Sequence, residues 1–157
     1  MKLKKHIGML LTFLLLTALL FTGCAPSMED SVNETLSDIP SISEDGTYTS
    51  KEDVAAYLNE YGHLPSNFIT KKEAKKLGWI SSEGNLDEVA PGMSIGGDYF
   101  GNYEGLLPEA DDREYHECDI DFDGTYRNAK RIVYSNDGLI YYTEDHYESF
   151  ELLYGEE

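Results

Sequence analysis

Residues 129–147 read AKRIVYSNDGLIYYTEDHY. Two runs rich in β-branched and aromatic side chains, Ala129 to Ser135 and Leu139 to Thr143, flank Asn136-Asp137-Gly138. This predicts a β-hairpin, because strands favour such side chains and an Asx-Gly turn supplies the positive φ that reverses the chain. Working outward, Ser94 to Phe100, Glu114 to Ile120 and Ser149 to Leu153 carry the same strand pattern. The first half has a different period. Ser50 and Asp53 bracket a helix start, after which Val54, Tyr57, Leu58 and Tyr61 fall on one helical face. Thr70 and Glu73 stand at capping-box spacing before a second helix that Gly78 closes, and Asn85 is placed to cap a short third one. Helices first and strands afterwards predict one α+β domain over residues 50–157, long enough to bury its own core.

Upstream of that domain the composition changes twice. Lys2, Lys4 and Lys5 precede an apolar run from Ile7 to Phe21, and small residues lead into Cys24, so residues 1–23 read as a secretion signal. The run falls short of the roughly 20 residues that span a bilayer. Cleavage before Cys24 fits a bacterial lipoprotein with Cys24 lipidated. Phe21 replaces the leucine usual at that place, and ordinary secretion with an unmodified Cys24 is the alternative. Both put the mature chain outside the cell, free or anchored to the outer face of a membrane. Residues 24–49 are rich in Ser, Thr, Asp, Glu and Pro, which predicts a flexible acidic linker reaching about 80 Å when extended. Cys118 is the only other cysteine, so no internal disulfide framework is expected.

The chain has 12 Lys and Arg against 30 Asp and Glu, a formal charge of -18. Loss of residues 1–23 removes three lysines and no acids, so -18 becomes -21. A field of that sign repels polyanions, and any phosphate chemistry must depend on a local cluster. The candidate cluster is Glu117, His146, Arg127, Arg131 and Lys71. A carboxylate and an imidazole can remove and return a proton while cations hold a phosphate. Two arginines four apart share one face of a strand. Each residue alone has a plainer reading, as a solvated charge or a salt-bridge partner. Asp119, Asp121, Asp123 and Gly124 open like a calcium-binding EF-hand loop, but the twelfth position is Lys130 and Arg127 lies inside it. Those cations oppose calcium, and no metal or other cofactor is predicted.

Six stretches give the cluster its context: AAYLNEYGHLP (55–65), ITKKEAKKLGW (69–79), GNLDEVAPGMSIGGDYF (84–100), NYEGLLP (102–108), YRNAKRIVYS (126–135) and LIYYTEDHY (139–147). With them the chain resembles the barnase-type guanyl-preferring ribonucleases of bacteria, from Val54 to Phe150. The resemblance implies three helices on one face of a five-stranded antiparallel sheet, with the site on the other face. It implies Glu117 as general base, His146 as general acid, and Arg127, Arg131 and Lys71 at the phosphate. It also implies guanine recognition by the loop Phe100-Gly101-Asn102-Tyr103-Glu104, with the Glu104 carboxylate accepting from N1 and N2 of the base and Tyr147 beside the ring or ribose. The implied partners are single-stranded RNA and a barstar-like acidic inhibitor, for a monomeric enzyme. Tyr103 stands where the family pattern has an arginine, which removes one cation from the base site. Two functions fit: an exported endoribonuclease, or a catalytically weakened relative kept as a surface binding module. Tyr103 and the acidic field argue for the second; the intact Glu117, Arg127, Arg131 and His146 set favours the first.

Overall fold

The computed structural model describes residues 42–156. Helix α1 spans Lys51–Tyr61; the Ser50 hydroxyl accepts from the Asp53 N–H at its start, and Gly62, at φ 73°, closes it by donating to Leu58 O. Only glycine adopts that left-handed conformation without cost. Helix α2, Lys71–Lys76, opens with the predicted capping box, the Thr70 side chain meeting the Glu73 N–H while Glu73 reaches back to the Thr70 N–H. Gly78, at φ 103°, follows it as expected. A single 3₁₀ turn, Ser81–Glu83, leads to the four-residue α3, Leu86–Val89. Asn85 holds the N-cap position of α3 and its carbonyl accepts from the Val89 N–H, but its side chain makes no cap hydrogen bond. Its carboxamide bridges Gly78 O and the Ile80 N–H instead, and the Asp87 N–H in the first turn of α3 is met by Gly124 O. The donor that needed a cap was therefore satisfied from a distant loop.

The sheet corrects one expectation. It has six strands in sequential order: β1 Phe68–Ile69, β2 Ser94–Phe100, β3 Tyr115–Asp119, β4 Arg131–Ser135, β5 Ile140–Thr143 and β6 Glu151–Tyr154. Five pair antiparallel as foreseen; β1 pairs in parallel with β2, Phe68 beside Ser94 and Ile69 beside Ile95, so the sheet is mixed. Two residues are too few for an alternation to show in sequence. The parallel sense follows from the crossover through α2 and α3 that joins the two strands.

Helix packing also differs in detail from three helices on a common face. Helix α1 alone lies on the sheet's middle, where Val54, Ala55 and Leu58 meet Cys118, Ile120, Ile132 and Ile140. Helices α2 and α3 belong to a separate cluster around Ala74, Trp79, Leu86, Ile95 and Phe122. On the opposite face a third cluster, Leu107, Tyr115, Val133, Leu139 and Tyr141, fills one end. Side chains alternate across a strand. The alternation that sends Cys118 and Ile132 to α1 therefore sends Glu117, Asp119 and Arg131 to the other face, where all three are buried.

Residues 42–49, the end of the stretch expected to be linker, are fastened to the domain. Tyr57 Oη donates to Glu44 O, Tyr61 Oη to Ile42 O, Asn67 Nδ2 to Tyr48 O, and the Asp121 N–H to Thr49 O, at 2.8–3.1 Å. The predicted signal, Cys24 and the linker up to residue 41 lie outside the described residues.

Candidate active site

Strands β3 and β4 build the centre, with Lys71 from α2 and Arg127, His146 and Tyr147 from loops. Glu117 on β3 is 6% exposed, and its two carboxylate oxygens are separately engaged: Oε1 by Lys71 Nζ, Oε2 by the Tyr147 hydroxyl. Burial by itself would raise this carboxyl, but the Lys71 and Tyr147 hydrogen bonds, with the charges of Lys71 and Arg127, hold it below the usual carboxylate range. Glu117 is thus ionised with cations on hand. Burial and the hydrogen bond to Glu117 push the Tyr147 hydroxyl far up, so it stays protonated and donates.

Asp119, two residues on, organises the arginines. Its Oδ2 accepts from Arg127 Nε at 2.7 Å and its Oδ1 from Arg127 Nη2 at 2.6 Å, a bidentate pair. Arg131 Nε lies 3.0 Å from Asp119 Oδ1, but its N–H points off that oxygen, so this contact is Coulombic rather than a hydrogen bond. Arg131 Nη1 donates to Lys130 O at 2.6 Å. Burial opposes the charge of Arg127, and the Asp119 carboxylate more than offsets it, so the guanidinium is held firmly protonated. In the sequence Asp119 reads only as the first acid of a calcium-loop pattern that the nearby cations oppose. The other aspartates of that loop are likewise occupied, Asp121 by Lys130 and Asp123 by Thr125.

Lys71 is aimed by its helix. It is the first residue of α2, and its N–H donates to Asp98 Oδ2 at 2.9 Å. The neighbouring irregularity in β2–β3 pairing, between Gly96 and Asp98, sets where Asp98 stands.

His146 and Tyr147 sit on the loop after β5, with φ of 60° and 76°. Such angles are unfavourable for non-glycine residues and need external support. Asp145 supplies it, accepting from Thr143 Oγ1 and the Ser149 N–H through Oδ1 and from Ser149 Oγ through Oδ2, while Thr143 Oγ1 accepts from the Tyr147 N–H. These hydrogen bonds, those of Ser149 foremost, bring the Asp145 carboxyl down to about 2. His146 is exposed, its ring centroid 4.8 Å from that of Tyr147. The Phe100 ring centroid lies 5.2 Å from that of Tyr147, so these two rings connect the end of β2 with the Tyr147 hydroxyl bonded to Glu117.

The loop expected to read a base is anchored from within. Asn102, at φ 44°, spends its carboxamide on Leu107, donating to its carbonyl at 2.9 Å and accepting from its N–H at 3.0 Å, and the Gly105 N–H donates to Asn102 O. Tyr103 is 90% exposed with its ring against Gly101, leaving no room there for a Cβ. Glu104 is exposed and makes no hydrogen bond among the described residues. The structure therefore brings Lys71, Glu117, Arg127, Arg131, Tyr147 and Phe100 together, sets His146 beside Tyr147, and leaves Tyr103 and Glu104 in solvent. Asp98, Asp119, Thr143 and Asp145 are the supports sequence reading missed. The Thr-x-Asp and Asp-x-x-x-Ser spacing offered a local signal for the last pair; the other two depend on strand pairing.

A family profile described as ribonuclease matches residues 51–154. Along nearly the whole length of both chains the protein is similar to a ribonuclease of Bacillus intermedius, 44% identical over 160 residues covering 94% of this chain and 97% of the relative. It is 58% identical over 97 residues to a ribonuclease of Heyndrickxia coagulans, covering 62% of this chain and 89% of that one. A shorter match, 46% over 57 residues, is to guanyl-specific ribonuclease St of Saccharopolyspora erythraea, covering 36% of this chain and 56% of the relative. A buried, ionised glutamate among lysine and arginines, on a domain matched over this length, identifies the chain as a member of the barnase-type microbial ribonuclease family.

Proposed function

We propose that this ribonuclease is an exported endoribonuclease that cleaves single-stranded RNA 3′ of guanosine by transphosphorylation followed by hydrolysis. The observation that carries the chemistry is the state of Glu117: buried, ionised, and flanked by Lys71 and the Arg127–Asp119 pair. Glu117 takes the proton of the ribose 2′-hydroxyl, O2′ attacks phosphorus, and His146 protonates the leaving O5′, giving a 2′,3′-cyclic phosphate. In the second step His146 takes a proton from water, the water oxygen attacks phosphorus, and Glu117 returns a proton to O2′. Lys71, Arg127 and Arg131 offset the charge that builds on the phosphoryl oxygens. Exposure suits His146 to its role, since the leaving strand must depart from its side.

Guanine preference is supported by Glu104, whose free carboxylate can accept from two adjacent donors, and by the similarity to the guanyl-specific ribonuclease of Saccharopolyspora erythraea. Export rests on residues 1–23, and lipid anchorage on Cys24. Radiolabelled fatty acid incorporated by the full chain and lost in Cys24→Ala tests the anchor. The same cations offer a barstar-like acidic inhibitor its contacts, weakened by Tyr103 and the acidic surface.

The deciding experiment incubates purified protein with RNA in EDTA. Fragments ending in guanosine 2′,3′-cyclic phosphate support the proposal. Binding of RNA with no cleavage would instead assign the protein to the weakened surface-module class that Tyr103 favours.

A further inference from the structure

Nine basic residues lie in the described region, and six of them, Lys51, Lys71, Arg113, Arg127, Lys130 and Arg131, stand within 4.0 Å of a carboxylate. The remaining three are Lys72, Lys75 and Lys76, all on α2 and all exposed. Glu73, the acid in their midst, is turned away: its Oε2 accepts from both the N–H and the hydroxyl of Thr70, so it acts on Lys76 only at longer range. Among the described residues of a chain of charge -18, the cations without a close carboxylate are thus concentrated on one short helix.

That helix also supplies Lys71 to Glu117. Residues four apart are neighbours on a helix surface, so Lys75 follows Lys71 along one side at a rise of about 6 Å, and Lys72 and Lys76 form a parallel row. Ala74, fully buried, pins the helix to the Trp79 cluster and fixes both rows relative to the catalytic carboxylate. Lys75 is therefore the next cation along that side of the helix from Lys71.

We infer that Lys72, Lys75 and Lys76 form an RNA-docking exosite, binding phosphates outside the scissile one and giving an otherwise repelling surface its point of capture. The inference deepens the ribonuclease proposal and rests on it. The exosite is sequence-blind, because it offers point charges rather than base contacts, and it discriminates long RNA from short.

The test compares the intact protein with the Lys72→Gln/Lys75→Gln/Lys76→Gln variant, glutamine being close to lysine in helix propensity. Three readouts are taken: kcat/KM on a GpN dinucleotide, kcat/KM on an RNA of about a dozen nucleotides against salt, and affinity for an uncleavable 2′-deoxy oligomer of that length. The expected result is a loss on the order of tenfold on the long RNA at low salt, a log–log salt slope shallower by about 2, and an unchanged dinucleotide rate. An unchanged slope overturns the exosite, as does an equal loss on the dinucleotide, which would mean the lysines act through Lys71. Normal RNA kinetics with lost adsorption to phosphatidylglycerol vesicles would assign the face to a membrane and also overturn it. Lys75→Gln alone, with a slope change of about 0.7, covers failure of the triple variant to fold. Should the native protein cleave nothing, the deoxy-oligomer affinity still decides the exosite, and only the cleavage proposal falls.

Discussion

The two halves of the site are built in opposite ways. Glu117, Asp119 and Arg131 lie on adjacent strands and are no more than 6% exposed, each with its charge met by a partner. Tyr103, Glu104 and His146 lie on loops and face solvent. Groups whose ionisation must be set before substrate arrives are held by the sheet, where register fixes distance and burial strengthens charge. The groups proposed to meet the base and the leaving strand are left open. Their loops are nonetheless braced, by Asn102 on Leu107 and by Asp145 on Ser149, so openness here means unfilled rather than loose.

The largest effect tests whether both halves serve one reaction. Glu117→Ala and His146→Ala should each lower cyclic-phosphate formation from GpN by about 10²-fold or more while keeping the circular-dichroism spectrum. Near-normal cleavage by the His146 variant would remove the exposed half from the mechanism.

Stability separates the halves next. Asp119→Ala leaves Arg127 and the buried Arg131 without their counter-charge and should cost about 3–5 kcal/mol in urea unfolding. Glu104→Ala, at an exposed loop position, should stay within about 0.5 kcal/mol. Comparable losses would mean that the loop is as integrated as the strands.

In the proposed mechanism specificity belongs to the exposed half. Glu104→Gln should erode the preference for GpN over ApN by about tenfold or more, since an amide cannot accept both guanine donors as a carboxylate does. If preference is retained, base reading lies elsewhere.

The pH response belongs to the buried half. Glu117 is held below the ordinary carboxylate range, so it stays ionised through that range, and the acidic limb of kcat/KM for the proposed base should fall below it. A depressed carboxyl adds stability above its unfolded pKa and loses it as pH falls through the folded one. Activity and this part of the stability should therefore fail together in acid. Lys71→Met should move the limb up; an unmoved limb would detach Lys71 from the tuning of Glu117.

The smallest change is Tyr103→Arg, which adds a cation to the open loop and should lower KM roughly two- to fivefold, with salt weakening the gain. A rise in kcat instead would show that the loop reaches the transition state.

Much of this molecule was written locally. The Asn136-Asp137-Gly138 turn, the Thr70–Glu73 box and the left-handed Gly62 and Gly78 follow from steric and hydrogen-bonding preferences within a few residues, and neighbouring strands appear near where alternation places them. The proposed reacting residues can be named from sequence because six long stretches match a known family in order. What tertiary structure alone decided is pairing between distant segments. No local pattern marks the two-residue β1, the eight residues of apparent linker tied to α1, or Asp119 as the shared partner of two arginines. The same holds for Tyr147, read as a base or ribose neighbour yet donating to Glu117 across 30 residues of sequence. Local chemistry sets which conformation a segment prefers; only strand register and burial set which charge faces which, and in this site that choice carries the chemistry.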